Sequence, residues 1–203
     1  MPSDIFLVRH GRTHSNVTLS QMGRSGEDLD SEGLIQAQKI SDRLASFPIA
    51  SIYSSPLQRA LSTAGKIAAS PNLKVQVLED LTEIEFGEWQ GLNVGDIETR
   101  WPDLWKQWRR DPSQMKVPGG ESFEHVASRV SRALGTVMAQ NPEANSLIVT
   151  HEIVIKMVII QVLEAPLSIY RHFVVGNASL SLVRVHHNLP QVITVNDQFH
   201  LGR

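Results

Sequence analysis

The stretch Asp4-Ile5-Phe6-Leu7-Val8-Arg9-His10-Gly11 is apolar without interruption from Ile5 to Val8, then turns to arginine, histidine and glycine. Side chains alternate sides along a strand, so an unbroken apolar run needs apolar neighbours on both faces. The run therefore predicts a strand inside a sheet covered on both sides. Its polar residues fall at the carboxyl end, where open α/β sheets bind ligands.

Further apolar runs follow at Ile49 to Tyr53, at Lys74 to Leu78 with alternation, and at Ser146 to Thr150. Helical spacing separates them. Gly33 to Ser46 places Ile35, Ala37, Ile40 and Leu44 on one face. Pro56 suits the first turn of a helix that Ser55 caps, with Leu57, Leu61, Ala64 and Ile67–Ala68 turned inward. Asp96 to Arg110 reads as helical with a break near Pro102. Ser122 to Ala139 carries Val126, Val130, Leu134 and Val137–Met138 at helical intervals, the clearest amphipathic pattern in the chain. Residues 152–164 form an apolar helix, and Ser179 to Val185 and Val192 to Val195 alternate as antiparallel strands. Strands alternating with helices predict an α/β fold with a mainly parallel sheet and an antiparallel edge. Residues 11–32, 80–95 and 111–120 are long for plain connectors and frame a site.

The chain has 203 residues, the size of one domain, with 41% hydrophobic and 20% charged residues. That composition is globular. Lys plus Arg is 19 and Asp plus Glu is 21, for a net charge of −2. Such a balance argues against a nucleic-acid binder, which needs a basic excess. Cys is 0, which excludes disulfides, thiolate zinc sites and a cysteine nucleophile. Met1-Pro2-Ser3-Asp4 has no basic stretch leading into an apolar one, so no signal peptide is expected. The most apolar long stretch, Ile153 to Leu163, is interrupted by Lys156 and Gln161 and is too short for a bilayer. The expectation is a soluble, cytoplasmic protein without membrane partners.

At the carboxyl edge the predicted strands bring Arg9-His10-Gly11, then Ser54-Ser55-Pro56 leading to Arg59, then the acids Glu79, Asp80, Glu83, Glu85 and Glu88, then Thr150-His151-Glu152. Guanidinium forks and helix N-termini suit a dianionic phosphate. A neutral imidazole beside phosphate is a nucleophile. The plainer alternatives are a structural histidine at a strand end, a solvated arginine and a solvent-facing acidic loop; two histidines at one edge, each beside a charge, favour a site. Trp101, Trp105 and Trp108 read as part core and part lid. A metal site is not expected. His10-x-x-x-His14 follows a strand and a glycine rather than lying on a helix, and the side chains of His186-His187 should point to opposite faces. No His-Glu-x-x-His, P-loop or Gly-x-Ser-x-Gly motif occurs.

Leu7-Val8-Arg9-His10-Gly11-Arg12-Thr13 resembles the signature of the histidine phosphatase superfamily, which includes phosphoglycerate mutases and small phosphatases. Similarity continues in order through Leu29-x-x-x-Gly33-x-x-Gln36-Ala37, Ser54-Ser55-Pro56-Leu57-Gln58-Arg59-Ala60-x-x-Thr63-Ala64 and Leu81-x-Glu83-Ile84-x-Phe86-Gly87-x-Trp89-x-Gly91. It extends to Pro118-Gly119-Gly120-Glu121-Ser122, Val149-Thr150-His151, Asn177-Ala178-Ser179 and Asn196-Asp197-x-x-His200-Leu201. The resemblance implies a three-layer α/β/α domain over residues 1–203, with residues 80–120 as a cap-like insertion over the site.

It also implies roles. His10 is the nucleophile that carries a transient phosphoryl group. Arg9, Arg59 and His151 hold the phosphate oxygens, and Asn16 adds a hydrogen bond. Glu83 protonates the leaving alkoxide and then activates water, with Glu85 the weaker candidate. No metal or other cofactor is implied, and the partner is a small phosphorylated metabolite. Three positions depart from the usual pattern: Arg12, which adds positive charge near the mouth; Glu152, whose carboxylate should point away from phosphate or repel it; and Gly26. The compact length favours a phosphatase over a phosphoglycerate mutase, with a phospho-ligand binding protein that has lost turnover as the alternative of another class. A homodimer through the aromatic stretch 101–108 or the terminal strand edge is left open.

Overall fold

The computed structural model describes residues 3–69, 73–187 and 189–202. The expectation drawn from Met1 and Pro2 lies outside them. The opening run is a strand, β1 (Ser3–Arg9). It pairs in parallel with β4 (Asn145–Thr150), with Ile5 opposite Ser146 and Arg9 opposite Thr150. Beyond β4 lie β2 (Ile49–Ser54) and β3 (Val75–Val77), also parallel. On the other side β5 (Leu180–His186) runs antiparallel to β1, and β6 (Leu189–Asp197) antiparallel to β5. The sheet order is β3-β2-β4-β1-β5-β6.

Both faces of β1 are covered, as continuous apolarity requires. Phe6 and Val8 pack with Ile52, Leu147, Val149, Ile40 and Ala60 in one cluster. Ile5 and Leu7 join the larger cluster on the opposite face, with Ile148, Val126, Val158 and Trp89. The first layer comes from α2 (Ser31–Leu44) and α3 (Gln58–Ile67), the second from α6 (Phe123–Gln140) and α7 (Glu152–Val162). Fully burying one such aliphatic side chain contributes about 1.5–3 kcal/mol, so these two clusters hold the layers together. Between β3 and α6 the chain forms α4 (Val94–Arg100) and α5 (Pro102–Arg110). Pro102 opens α5, where its missing N–H costs nothing. None of the helices among the described residues is long and apolar enough to cross a membrane.

Several local expectations are corrected. Residues 12–32 are not all loop: α1 (His14–Thr18) starts at a capping box in which Thr13 and Asn16 satisfy each other's backbone N–H groups. α2 begins two residues before Gly33, capped by Asp30, whose carboxylate accepts from the Gly33 N–H at 2.7 Å. Its buried row is Gly33, Gln36, Ala37, Ile40 and Leu44, and Ile35 is exposed. Ser55 does not cap α3, which has Leu57 at its N-cap and no side-chain cap. The inward residues of α3 are Arg59, Ala60, Thr63 and Ala64 rather than the leucines. The His186 and His187 rings lie 4.1 Å apart, not on opposite faces. β5 ends at His186, and His187 takes a left-handed turn conformation with φ 52°.

One close approach explains the glycine after His10. A Cβ on Gly11 would sit 2.5 Å from the Gly33 carbonyl oxygen, and one on Gly33 would sit 2.0 Å from that of Arg12. Only glycine at both positions lets the turn after β1 rest on the start of α2.

Candidate active site

The ends of β1, β2 and β4 converge beside a cavity of about 450 Å³. At the end of β1, the His10 N–H continues the ladder to the Thr150 carbonyl at 2.9 Å. The His10 carbonyl accepts from the Ala178 N–H at 3.1 Å and from Asn177 Nδ2 at 3.3 Å. The imidazole is buried, and its Nδ1 lies 2.8 Å from the Gly11 carbonyl oxygen. A carbonyl oxygen can only accept, so Nδ1 carries the proton and Nε2 keeps its lone pair. Burial, then the charges of Arg59 and Arg9, push the His10 pKa well below its ordinary value, so the ring is neutral at neutral pH.

Arg59 rises from the first turn of α3 and is buried. Its Nη1 donates to the Ser25 carbonyl at 2.8 Å and its Nη2 to that of Gly23 at 2.6 Å, while Nε is buried without a partner. Burial lowers its pKa to about 10, which still leaves it cationic. Thr63, one turn along α3, accepts from the Gly11 N–H at 3.1 Å and donates to the Arg59 carbonyl at 2.8 Å. It ties the histidine turn to the arginine helix. Arg9 donates through Nη1 to the Val175 carbonyl at 2.6 Å and pairs with Glu152 at 3.0 Å; its Nε is also buried and unpartnered.

His151 is the N-cap residue of α7. Its ring stands 5.1 Å from that of His10, centroid to centroid, at an angle of 59°. It is wholly buried behind His10 and is not among the residues lining the cavity. Its Nε2 meets Ser55 Oγ at 2.7 Å, and its Nδ1 has no partner. Ser55 Oγ also accepts from the Leu57 N–H at 3.2 Å, ahead of the first turn of α3. Burial and the charges of Arg59, His10 and Arg9 hold its pKa well down.

Glu83 lines the cavity from the loop after β3 and is 8% exposed. One carboxyl oxygen accepts from the Ile84 N–H at 2.9 Å, the other from the Ile153 N–H in the first turn of α7 at 3.4 Å. Burial raises its pKa. Glu85 lies apart, 3.5 Å from Arg24. Asn16 also lines the cavity, and its Oδ1 accepts from Asn177 Nδ2 at 2.9 Å.

Two expectations about charge change. Arg12 does not act as a free cation at the mouth, because its Nε is held by Asp30 at 2.8 Å. Glu152 neither turns away nor merely repels: it lines the cavity with Oε2 on Arg9 and Oε1 on Lys156 Nζ at 2.9 Å. Trp108 is buried in the core and also lines the cavity, whereas Trp101 and Trp105 pack against the core without lining it.

A neutral imidazole with a free ring nitrogen, the buried guanidinium of Arg59, the half-buried one of Arg9 and a carboxyl of raised pKa line one cavity, with a second imidazole immediately behind. Together they define a protein built to handle a phosphoryl group. The sequence profile of the histidine phosphatase superfamily (branch 1) matches residues 5–198, and the chain belongs to that family. Phosphoserine phosphatase 1 of Hydrogenobacter thermophilus is 29% identical over 198 residues, covering 98% of this chain and 94% of that one. The bifunctional protein Rv2228c of Mycobacterium tuberculosis is 35% identical over 186 residues, covering 91% of this chain. This chain spans about half (51%) of that longer protein. Among solved structures, YhfR of Bacillus stearothermophilus superposes with a TM-score of 0.94 at 26% identity, covering 98% of this chain and 99% of that one.

Proposed function

We propose that the protein hydrolyses small phosphomonoesters through a phosphohistidine on His10. The observation that carries this reading is the Nδ1 contact of His10 with the Gly11 carbonyl, which commits Nε2 to act as nucleophile inside a cationic pocket. Family membership and a relative named as a phosphoserine phosphatase support the same class of reaction.

In the first step the Nε2 lone pair of His10 forms a bond to phosphorus as the ester P–O bond breaks. Glu83, whose pKa burial raises, gives its proton to the departing alkoxide. Arg9 and Arg59 meet the charge on the phosphoryl oxygens, and the unpartnered Nε atoms of both provide further donors. Asn16, which lines the cavity, adds a hydrogen bond, and His151 supports the His10 ring from behind. In the second step the Glu83 carboxylate takes a proton from water. The water oxygen bonds to phosphorus as the P–N bond breaks, freeing inorganic phosphate and restoring Nε2.

Incubation with p-nitrophenyl phosphate and a panel of phosphorylated small molecules, with a chelator present, should release inorganic phosphate. Folded protein that is silent across the whole panel would overturn the reading.

A further inference from the structure

The phosphate-handling groups fill one end of the cavity, and the remaining wall describes what the departing alcohol meets. That wall is formed by Met22, Phe86, Val94, Trp108, Ile153 and Tyr170, interspersed with the uncharged polar side chains of Ser15, Ser20, Gln21 and Asn177. Among the described residues lining the cavity, the only guanidinium or ammonium groups are those of Arg9 and Arg59. Arg59 and Arg9, the latter shared with Glu152, face one phosphoryl group.

The acidic side of the cavity is less usual. Glu152 faces it as a carboxylate already joined to Arg9 at 3.0 Å and to the buried Lys156 at 2.9 Å. The Lys156 ammonium in turn lies 4.2 Å from the Tyr170 ring centroid, turned toward the aromatic wall and not among the lining groups. Arg24 and Arg171 stand outside the lining groups. Arg24 reaches Glu85 and Glu121, and Arg171 donates to the Trp108 carbonyl at 3.1 Å. A carboxylate on the leaving alcohol would meet no guanidinium or ammonium among the lining groups beyond the two facing the phosphate, and would meet the like charge of Glu152 on the cavity wall. An uncharged alcohol with an apolar body has an aromatic and aliphatic wall to cover it. An open depression shares Ser15, Leu19, Ser20 and Val94 with the cavity, so the leaving-group side continues outward past its rim.

Resting on the phosphatase reading, we infer that the site selects phosphomonoesters of uncharged, partly apolar alcohols and that Glu152 is the specificity-determining residue that turns away carboxylate-bearing ones. Glu152 acts through charge and through its hold on Arg9, while the aromatic wall supplies the positive preference.

The test uses two matched pairs of substrates, glycerol 3-phosphate against 3-phosphoglycerate and benzyl phosphate against 4-carboxybenzyl phosphate. In whichever pair is hydrolysed, kcat/KM should favour the uncharged member at least tenfold. Glu152→Gln should shrink that preference several-fold by raising use of the acidic member. Hydrolysis without tenfold discrimination overturns the inference and leaves the phosphatase reading intact. Discrimination that Glu152→Gln leaves unmoved overturns the role of Glu152. If the variant does not fold, the wild-type ratios decide the substrate class, and their collapse at high salt, where screening weakens a charge-based preference, decides the carboxylate's part. Silence on all four esters and on p-nitrophenyl phosphate overturns the phosphatase reading itself.

Discussion

Arg129 Nε donates to Glu121 Oε1 at 2.9 Å, and Nη2 to Oε2 at 3.0 Å, in a buried two-pronged pair that clamps the loop carrying Glu83. Nη1 of the same arginine donates to the Asp80 carbonyl at 2.8 Å and to that of Thr82. Glu121 accepts from the Glu85 N–H at 3.4 Å, and its own N–H donates back to the Glu85 carbonyl at 2.8 Å. Glu83 is thus held between backbone anchors on either side. Arg129→Met should destabilise the fold by about 3 kcal/mol, because the buried Glu121 carboxylate loses its two-pronged partner and keeps only the more exposed Arg24 and His125 beside it. In protein that remains folded, kcat should fall more than KM rises. Urea unfolding alongside steady-state kinetics measures both, and an unchanged kcat would remove the clamp from catalysis.

His10→Ala deletes the proposed nucleophile while leaving the guanidiniums in place. Turnover should drop on the order of 10⁴–10⁶-fold, as for other enzymes stripped of a nucleophile. Brief quenching of wild-type protein with ³²P-labelled substrate should leave an acid-labile, base-stable label that is missing from His10→Ala. A wild-type enzyme that turns over without any such label would rule out the covalent route.

Much of this architecture can be read from the chain. Periodicity finds β1, β4 and α6 because their burial is regular, and the strand ends then point to Arg9, His10 and His151. The Glu83 role needs the family resemblance, since nothing in an acidic loop singles out one carboxylate before folding buries it. The clamp escapes pattern reading for a similar reason. Arg129 sits on the inward row of α6 beside Val126 and Val130, and an arginine on an apolar stripe is the signal that marks it. Lys156 within apolar α7 is the same signal, and its partners become visible only once Glu152 turns toward Arg9. The charge of Arg12 misleads, because Asp30 is close to it only in space.

Glu83→Gln separates the two chemical steps. An alkyl phosphate needs its leaving oxygen protonated, so its hydrolysis should slow by about 10²–10⁴-fold. The p-nitrophenolate ion leaves without a proton, so phosphorylation of His10 from that ester should stay fast while hydrolysis of the intermediate slows. Stopped-flow mixing should therefore show a burst of p-nitrophenol close to one per site. In wild type, Glu83 must be protonated for alkyl esters to react, so their rate should fall as pH rises through its raised pKa. A variant that loses activity equally on both kinds of ester, with no burst, would take the proton-donor role from Glu83.

Stability should carry the signature of the two buried imidazoles. The folded pKa values of His10 and His151 both lie well below the ordinary histidine value. Below about pH 6.5 the unfolded chain therefore binds protons that the folded chain refuses. Their contribution is fully present above that pH and is lost as pH falls, at up to about 1.4 kcal/mol per pH unit for each ring. Glu83 works in the opposite sense above the ordinary glutamate range, since its raised pKa lets the folded state hold a proton the unfolded state releases. Glu121 and Glu152, held down by Arg129 and by Arg9 with Lys156 against the pull of burial, lose their contributions only at lower pH. Across the interval from about pH 6.5 toward pH 5 the two histidines outnumber Glu83, whose opposing proton uptake offsets part of their slope. Calorimetry across it should show Tm falling as pH falls, and His10→Gln should remove at least half of the slope. A Tm that holds level across the interval would mean that the rings are not kept neutral in the fold.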